Sequence, residues 1–201
     1  MRGLRQLEQF LESSFTDRQR RELHLYDFDG TLFRSPGPPK WWNKKQHGYW
    51  YSDQASLEPP CVPEKPGGDW WVGPVVKSAK ASIFDKEVWT IMCTGRLDKQ
   101  YRWRIPQLLK QKGLSFDDVY LNPGAQKGFK GGQGDSTTFA WKASVVTRLN
   151  RKFGFTKLQV WEDNNMSDFR ALSKKLGLPF EGHDVRVKPK PAECTQADFG
   201  G

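Results

Sequence analysis

Leu23-His24-Leu25-Tyr26-Asp27-Phe28-Asp29-Gly30-Thr31-Leu32-Phe33 is the stretch from which the rest of the chain is read. Leu23, Leu25, Tyr26 and Phe28 make a short apolar run of strand length, stopped by Gly30. Asp27 and Asp29 stand at its downstream end, and residues two apart on a strand point to one face. Two carboxylates aimed into one space repel unless a cation or a shared proton lies between them. Gly30 lets the chain turn sharply away. A lone acid pair before a glycine is most simply a charged strand end. Here the apolar residues lie on one side and both acids on the other.

Downstream the pattern alternates helix and strand. Val75 to Phe84 reads as a helix, and Val88 to Cys93 as a buried strand followed at once by Thr94-Gly95-Arg96. Asp98 to Lys112 predicts a helix interrupted by Pro106, with Gly113 as its C-cap. Val119 to Leu121 is a short strand, and Asn122 to Ser136, with five glycines, Lys127 and Lys130, is a loop. Thr137 to Phe153 is a helix, Leu158 to Trp161 a strand, Met166 to Leu176 a helix and His183 to Val187 a last strand. That order predicts an α/β fold with a mostly parallel sheet covered on both faces. Ligands of such sheets sit outside the carboxyl ends of the strands.

The rule gathers separate signals into one site. Asp27 and Asp29 end the first strand. Thr94 ends the second, where its hydroxyl and the amides of Gly95 and Arg96 are placed to meet an anion at a helix start. Glu162 and Asp163 end the strand from Leu158 and offer hard oxygen ligands for Mg²⁺. Lys142, in the intervening helix, brings an ammonium. Any one of these is usually mere surface; their order and spacing carry the weight.

The 201 residues suit a single domain. Residues 1–21 read as an amphipathic helix on Leu4, Leu7, Phe10, Leu11 and Phe15. Its acids, Glu8, Glu12 and Asp17, speak against a transit peptide. Residues 34–72 hold seven of the thirteen prolines and five of the nine tryptophans. They predict an irregular lid over the acid pair rather than a second domain. Trp41 and Trp42, beside Lys40, Lys44, Lys45 and His47, are candidates to stack on bases, although for most of these rings packing of the insertion is the simpler reading. Residues 188–201 read as a loose tail. Cys61, Cys93 and Cys194 form neither a disulfide framework nor a zinc pattern, which points to a reducing intracellular compartment, cytoplasmic or nuclear. No apolar stretch approaches membrane-spanning length.

Four segments, Asp27–Thr31 (DFDGT), Cys93–Arg96 (CTGR), Lys142 in TTFAWK and Trp161–Asn165 (WEDNN), resemble the four motifs of the haloacid dehalogenase (HAD) superfamily. In detail the chain is similar to the HAD domain of the Swiss Army Knife RNA repair proteins. It shares LYDFDGTLFRSP, the tryptophan-rich segment ending in WW, TGR, GLSFDDVYLNP and TTFAWK. The resemblance implies a HAD-like Rossmannoid three-layer α/β/α sandwich with a short cap inserted after the first strand. It implies Asp27 as the nucleophile toward phosphorus and Asp29 as general acid and base, kept partly protonated by its neighbours. It implies Thr94, Gly95, Arg96 and Lys142 as phosphate ligands, and Asp27, Asp29, Glu162 and Asp163 around Mg²⁺. Two departures stand out. Glu162 replaces an expected Asp, so that one of the Glu162–Asp163 pair binds metal directly and the other through water. Lys127 and Lys130 are also within possible reach of the site, with Lys142 the first choice.

The expected activity is that of a Mg²⁺-dependent phosphohydrolase acting on nucleic-acid ends. The formal charge is +9, and Arg96 to Lys152 holds twelve Lys or Arg against four Asp, a field suited to a polyanion. Lys127 and Lys130, with Trp41 and Trp42, are the expected nucleic-acid contacts. A small phosphorylated metabolite is the competing substrate, and a non-catalytic HAD-like RNA-binding module the competing role.

Overall fold

The computed structural model describes residues 21–124 and 135–199. The expected N-terminal helix, Lys127 and Lys130 lie outside the described residues. Five strands form one parallel sheet: β1 (Glu22–Tyr26), β2 (Val88–Leu97), β3 (Asp118–Asn122), β4 (Lys157–Glu162) and β5 (Phe180–Asp184), in the order β3-β2-β1-β4-β5. β1 is central, paired in register with Val88–Met92 on one side and Lys157–Trp161 on the other. The chain crosses from one half of the sheet to the other between β3 and β4, so β1 and β4 flank the switch point.

A parallel sheet must be covered on both faces, and the side chains of β1 alternate accordingly. Leu23 and Leu25 pack with Val145, Val146 and Leu149 of α5 (Asp135–Phe153) and Phe169 of α6 (Met166–Leu176). Tyr26 faces the opposite layer, with Val75, Val76 and Ala79 of α2 (Gly73–Phe84) and Ile105, Leu108 and Leu109 of α4 (Arg104–Lys112). Its hydroxyl lies 2.8 Å from Ser82 Oγ on α2, which also meets His24 Nδ1 at 2.7 Å. The result is the three-layer α/β/α sandwich the sequence led one to expect.

Some boundaries differ. The helix expected over Asp98–Lys112 is two, α3 (Asp98–Tyr101) and α4, with the restart putting Pro106 in the first turn of α4. There the missing N–H costs no helical hydrogen bond. β2 runs on to Leu97, and the last strand lies three residues upstream of its expected place.

Residues 34–71 leave the sheet and return beside their point of departure. Arg34 N donates to Trp70 O at 2.8 Å, Val72 N to Leu32 O at 3.0 Å, and Phe33 bridges Trp71. Between these ends lie only α1 (Lys44–His47) and three 3₁₀ turns. Trp70 and Trp71 pack on Phe33, and buried Trp50 donates its indole N–H to Pro36 O at 2.7 Å.

The tail corrects two expectations. Residues 188–199 are not loose: Lys190 N donates to Arg34 O, Glu193 N to Cys61 O, and Phe199 packs on Trp41 and Trp42. Cys61 and Cys194, 133 residues apart, form a disulfide across 4.2 Å between Cα atoms. Sequence spacing held no trace of that approach, and the basis for expecting a reducing compartment goes with it. Cys93 is free and buried. Among the described residues no helix is long and apolar enough to cross a membrane.

Candidate active site

The alternation that fills the core on β1 also places the acids. Asp27 continues the parity of Leu23 and Leu25, so it does not stand opposite the apolar residues as expected, and its amide extends the ladder to Trp161 O at 3.0 Å. Glu162 ends β4 on the same face as Leu158 and Val160. Lys142 lies on the core stripe of α5, one turn before Val145 and Val146, so its ammonium is carried into the sheet's carboxyl end. Nζ lies 2.7 Å from Asp27 Oδ1 and 2.7 Å from Glu162 Oε2, with all three side chains buried. Burial opposes the charge on Lys142, but the two carboxylates outweigh it and hold the ammonium protonated. An ammonium has three donors, so two engaged here leave one for a ligand.

One oxygen from each of Asp27, Glu162 and Asp163 can be chosen so that all lie within 4.8 Å of one another. Asp163 comes this close because Gly30 has no side chain, a Cβ there falling 2.4 Å from Asp163 Oδ2. Burial, with Glu162, Asp163 and Asp29 nearby, raises Asp27 well above the usual carboxylate range despite Lys142. Burial and the neighbouring Glu162 push Asp163 up to about 7. Fully ionised, the four carboxylates of Asp27, Asp29, Glu162 and Asp163 would face two cations, Lys142 and Arg96, leaving an excess of two negative charges that a divalent cation would offset and that, without one, shows as the raised Asp27 and Asp163. The hard-oxygen donor set and its charge fit such an ion.

Asp29 departs from what the resemblance implies. It turns from the other acids to Arg96, whose Nε lies 3.0 Å from both carboxylate oxygens and whose Nη2 lies 2.7 Å from Oδ1. Burial raises the carboxyl, but Arg96 outweighs it and holds Asp29 below its ordinary range, so its neighbours do not keep it partly protonated. Gly95 and Arg96 lie within β2, not at a helix start, and Arg96 N donates to Thr94 Oγ1 at 3.2 Å. The Thr94 hydroxyl stands 3.5 Å from Asp29 Oδ2. Gly95 has a steric reason: a Cβ would fall 2.6 Å from Thr138 Cγ2, one turn before Lys142, so glycine lets α5 close onto β2.

Asp27, Asp29, Gly95, Arg96, Lys142, Glu162 and Asp163, but not the fully buried Thr94, line a cavity of about 270 Å³ walled by Tyr49, Tyr51 and Ser52 of the insertion and by Val187 and Pro189 of the tail. The sequence reading did not single out those wall residues. The only signal was that the insertion follows the acid pair directly. Tyr49 is 43 % exposed and Lys44 Nζ lies 5.4 Å from its ring centre. Trp41 and Trp42 do not line the cavity. They are half-buried against each other and Phe199, with Trp42 also on Trp50 and donating its indole N–H to Gly48 O.

Three likenesses to known proteins bear on this arrangement. An uncharacterized protein of Saccharomyces cerevisiae is 30% identical over 104 residues, which cover 44% of this chain and 22% of the yeast protein, so the chain spans about a fifth of that relative. A solved Pnkp1/Rnl/Hen1 complex is alike in fold, with a TM-score of 0.51 and 15% identity over 84% of this chain and 47% of the matched one. The family model describing HAD domain family 1 in Swiss Army Knife RNA repair proteins matches residues 38–196, a span that takes in Arg96, Lys142, Glu162 and Asp163. By that match the chain belongs to HAD domain family 1 of the Swiss Army Knife RNA repair proteins.

Proposed function

We propose that this domain is a Mg²⁺-dependent phosphohydrolase that forms an aspartyl-phosphate on Asp27 and acts on phosphorylated nucleic-acid ends. The observation that carries the reading is Lys142 held between Asp27 and Glu162, beside Asp163, in a cluster of converging carboxylate oxygens. Asp27, Glu162 and Asp163 would hold the ion. When bound, it would supply positive charge to the phosphoryl oxygens.

The chain's own groups carry the steps. Lys142 fixes Asp27 Oδ1, which leaves the other oxygen to attack phosphorus. The P–O bond to the leaving group breaks and that oxygen departs with a proton taken from water. The remaining N–H of Lys142 steadies a non-bridging oxygen. Water then attacks phosphorus, the Asp27–phosphorus bond breaks and phosphate leaves. Asp29, ionised on Arg96, accepts the proton of that water and passes it to solvent.

For the substrate, the repair-protein family and the basic charge support a nucleic-acid end. Tyr49, exposed at the cavity mouth beside Lys44, offers a ring for the terminal base and a cation for the adjoining phosphate. The second reading, a small phosphorylated metabolite, is favoured by the cavity's modest volume of about 270 Å³. The test is hydrolysis of an aryl phosphate and of 3′- and 5′-phosphorylated oligonucleotides, with Mg²⁺ or EDTA. Mg²⁺-dependent turnover with an oligonucleotide preferred supports the proposal. A metabolite panel that outperforms every oligonucleotide replaces the substrate, and EDTA-insensitive turnover removes the metal.

A further inference from the structure

Arg96 is almost completely buried, with 3 % of its surface exposed, and its donors point in two directions. Nε and Nη2 grip Asp29, as above. Nη1 meets Tyr51 O at 3.0 Å, Tyr101 OH at 2.9 Å and Ser56 Oγ in a short contact. The Tyr101 hydroxyl in turn lies 2.6 Å from Asp53 O. The guanidinium carbon stands 5.1 Å from the Tyr51 ring centre and 4.8 Å from that of Tyr101. Every insertion partner therefore comes from one short segment, Tyr51 to Ser56. Lys could not hold these two groups of acceptors at once, because it lacks the planar fork.

Resting on the function proposed above, we infer that Arg96 is a positioning residue that couples the seating of the insertion to the alignment of Asp29. It is not a ligand of the substrate phosphate. If the segment from Tyr51 to Ser56 lifts, Nη1 loses Tyr51 O and Ser56 Oγ and keeps only the Tyr101 hydroxyl, a penalty that falls on the Arg96–Asp29 pair as well. Conversely, an Asp29 carboxylate held by the fork stabilises the seated insertion, since coupling between sites is reciprocal. Tyr49, Tyr51 and Ser52 from the same stretch wall the cavity, so a substrate that fills it presses on the segment Arg96 holds. Substrate contact with the insertion thus favours the geometry in which Asp29 is in place, and discrimination between substrates enters through kcat.

The test compares Arg96→Ala, Arg96→Lys, Tyr101→Phe and Ser56→Ala. Neither Tyr101 nor Ser56 lines the cavity. On an aryl phosphate, Arg96→Ala should lower kcat by about 100-fold or more, the scale of a lost acid–base contribution. KM should change by less than about threefold. Millimolar guanidinium should restore part of the lost rate, whereas Arg96→Lys should remain impaired. Tyr101→Phe and Ser56→Ala should lower kcat by a smaller factor without raising KM. Amide hydrogen exchange read without substrate gives an independent arm: exchange over residues 51–57 should quicken in Arg96→Ala and in Asp29→Asn. A raised KM with unchanged kcat would make Arg96 a phosphate ligand and overturn the inference. Unchanged exchange in both variants would overturn the coupling. If the wild type hydrolyses no phosphate ester, the function above fails, while the exchange arm still judges the link. Should Arg96→Ala not fold, Arg96→Lys and Tyr101→Phe carry the same two readouts.

Discussion

A Cβ placed on Gly30 would stand 2.4 Å from Asp163 Oδ2, and Gly30 has φ +68°. The glycine of the first motif is thus the floor on which the fourth motif's acid rests. Gly30→Ala introduces a left-handed alanine, which costs about 1–2 kcal/mol. It also displaces Asp163 from Asp27 and Glu162. The expected outcome is a fall in stability of that order together with weakened Mg²⁺ binding, read by urea unfolding and by metal-dependent shifts in Tm. Wild-type metal response in a destabilised Gly30→Ala protein would separate the turn from the acid cluster.

Asp27→Asn should abolish turnover and leave the fold intact, because an amide does not attack phosphorus and the shape is kept. Asp29→Asn should fail differently. Attack by Asp27 persists with an aryl leaving group, which needs little acid, but water activation is lost. Rapid mixing should then show a burst of phenol of about one per enzyme followed by slow turnover, the mark of an accumulating covalent intermediate. Asp27→Asn should show none. A burst in Asp27→Asn would move the nucleophile elsewhere.

Much of this was legible beforehand, for identifiable reasons. Apolar runs and the acids at their ends follow the two-residue period of a strand, so Asp27, Glu162 and the sheet's carboxyl end could be read directly. Lys142 could be named from its place in the order of the motifs, and the structure adds that it sits at a core position of α5, where a charge needs partners. The side-chain partners of Arg96 were not legible, because a local motif says where a backbone goes and not which distant carbonyls will meet a long side chain. Tyr51, Ser56 and Tyr101 come from segments whose packing follows no period. The Cys61–Cys194 link was invisible for the same reason, since two residues 133 apart met only through the fold of an irregular insertion.

The raised Asp163 makes the metal-free protein sensitive to pH. Its ordinary value of 3.8 is pushed to about 7 by burial and by Glu162. Between those limits the folded state binds a proton that the unfolded state has released, so stability falls as pH rises through this window. Asp27, also raised by burial, acts in the same sense, whereas His24 and His183, both lowered by burial, act oppositely as pH falls below 6.5. The contribution of Asp163 is therefore the difference between wild type and Asp163→Asn. In EDTA, the Tm advantage of Asp163→Asn should grow from pH 5 to pH 8. Mg²⁺ should raise the wild-type Tm more at pH 8 than at pH 5, and raise that of Asp163→Asn little at either. Equal metal response in both proteins would remove Asp163 from the proposed ligand set.

Trp42 and Tyr49 separate packing from recognition. The Trp42 ring is wedged among Trp41, His47, Trp50 and Phe199, so Trp42→Ala should lower stability by about 2 kcal/mol, below the roughly 3–5 kcal/mol of a fully buried ring. It should leave oligonucleotide affinity nearly unchanged at temperatures where the variant is folded. Tyr49 is exposed and lines the cavity, so Tyr49→Ala should leave Tm close to wild type. Stacking predicts a loss of about 1–3 kcal/mol in binding of a phosphorylated oligonucleotide. Lys44→Ala should flatten the salt dependence, since each single-strand phosphate neutralised contributes a log–log slope of roughly −0.7. Hydrolysis of an aryl phosphate, which has no adjoining phosphate for Lys44 and no base to stack, should change little in Lys44→Ala and less than oligonucleotide binding in Tyr49→Ala. Affinity lost with Trp42 and kept with Tyr49 would return base stacking to the tryptophan pair, and salt-insensitive binding throughout would leave the small-metabolite reading in its place.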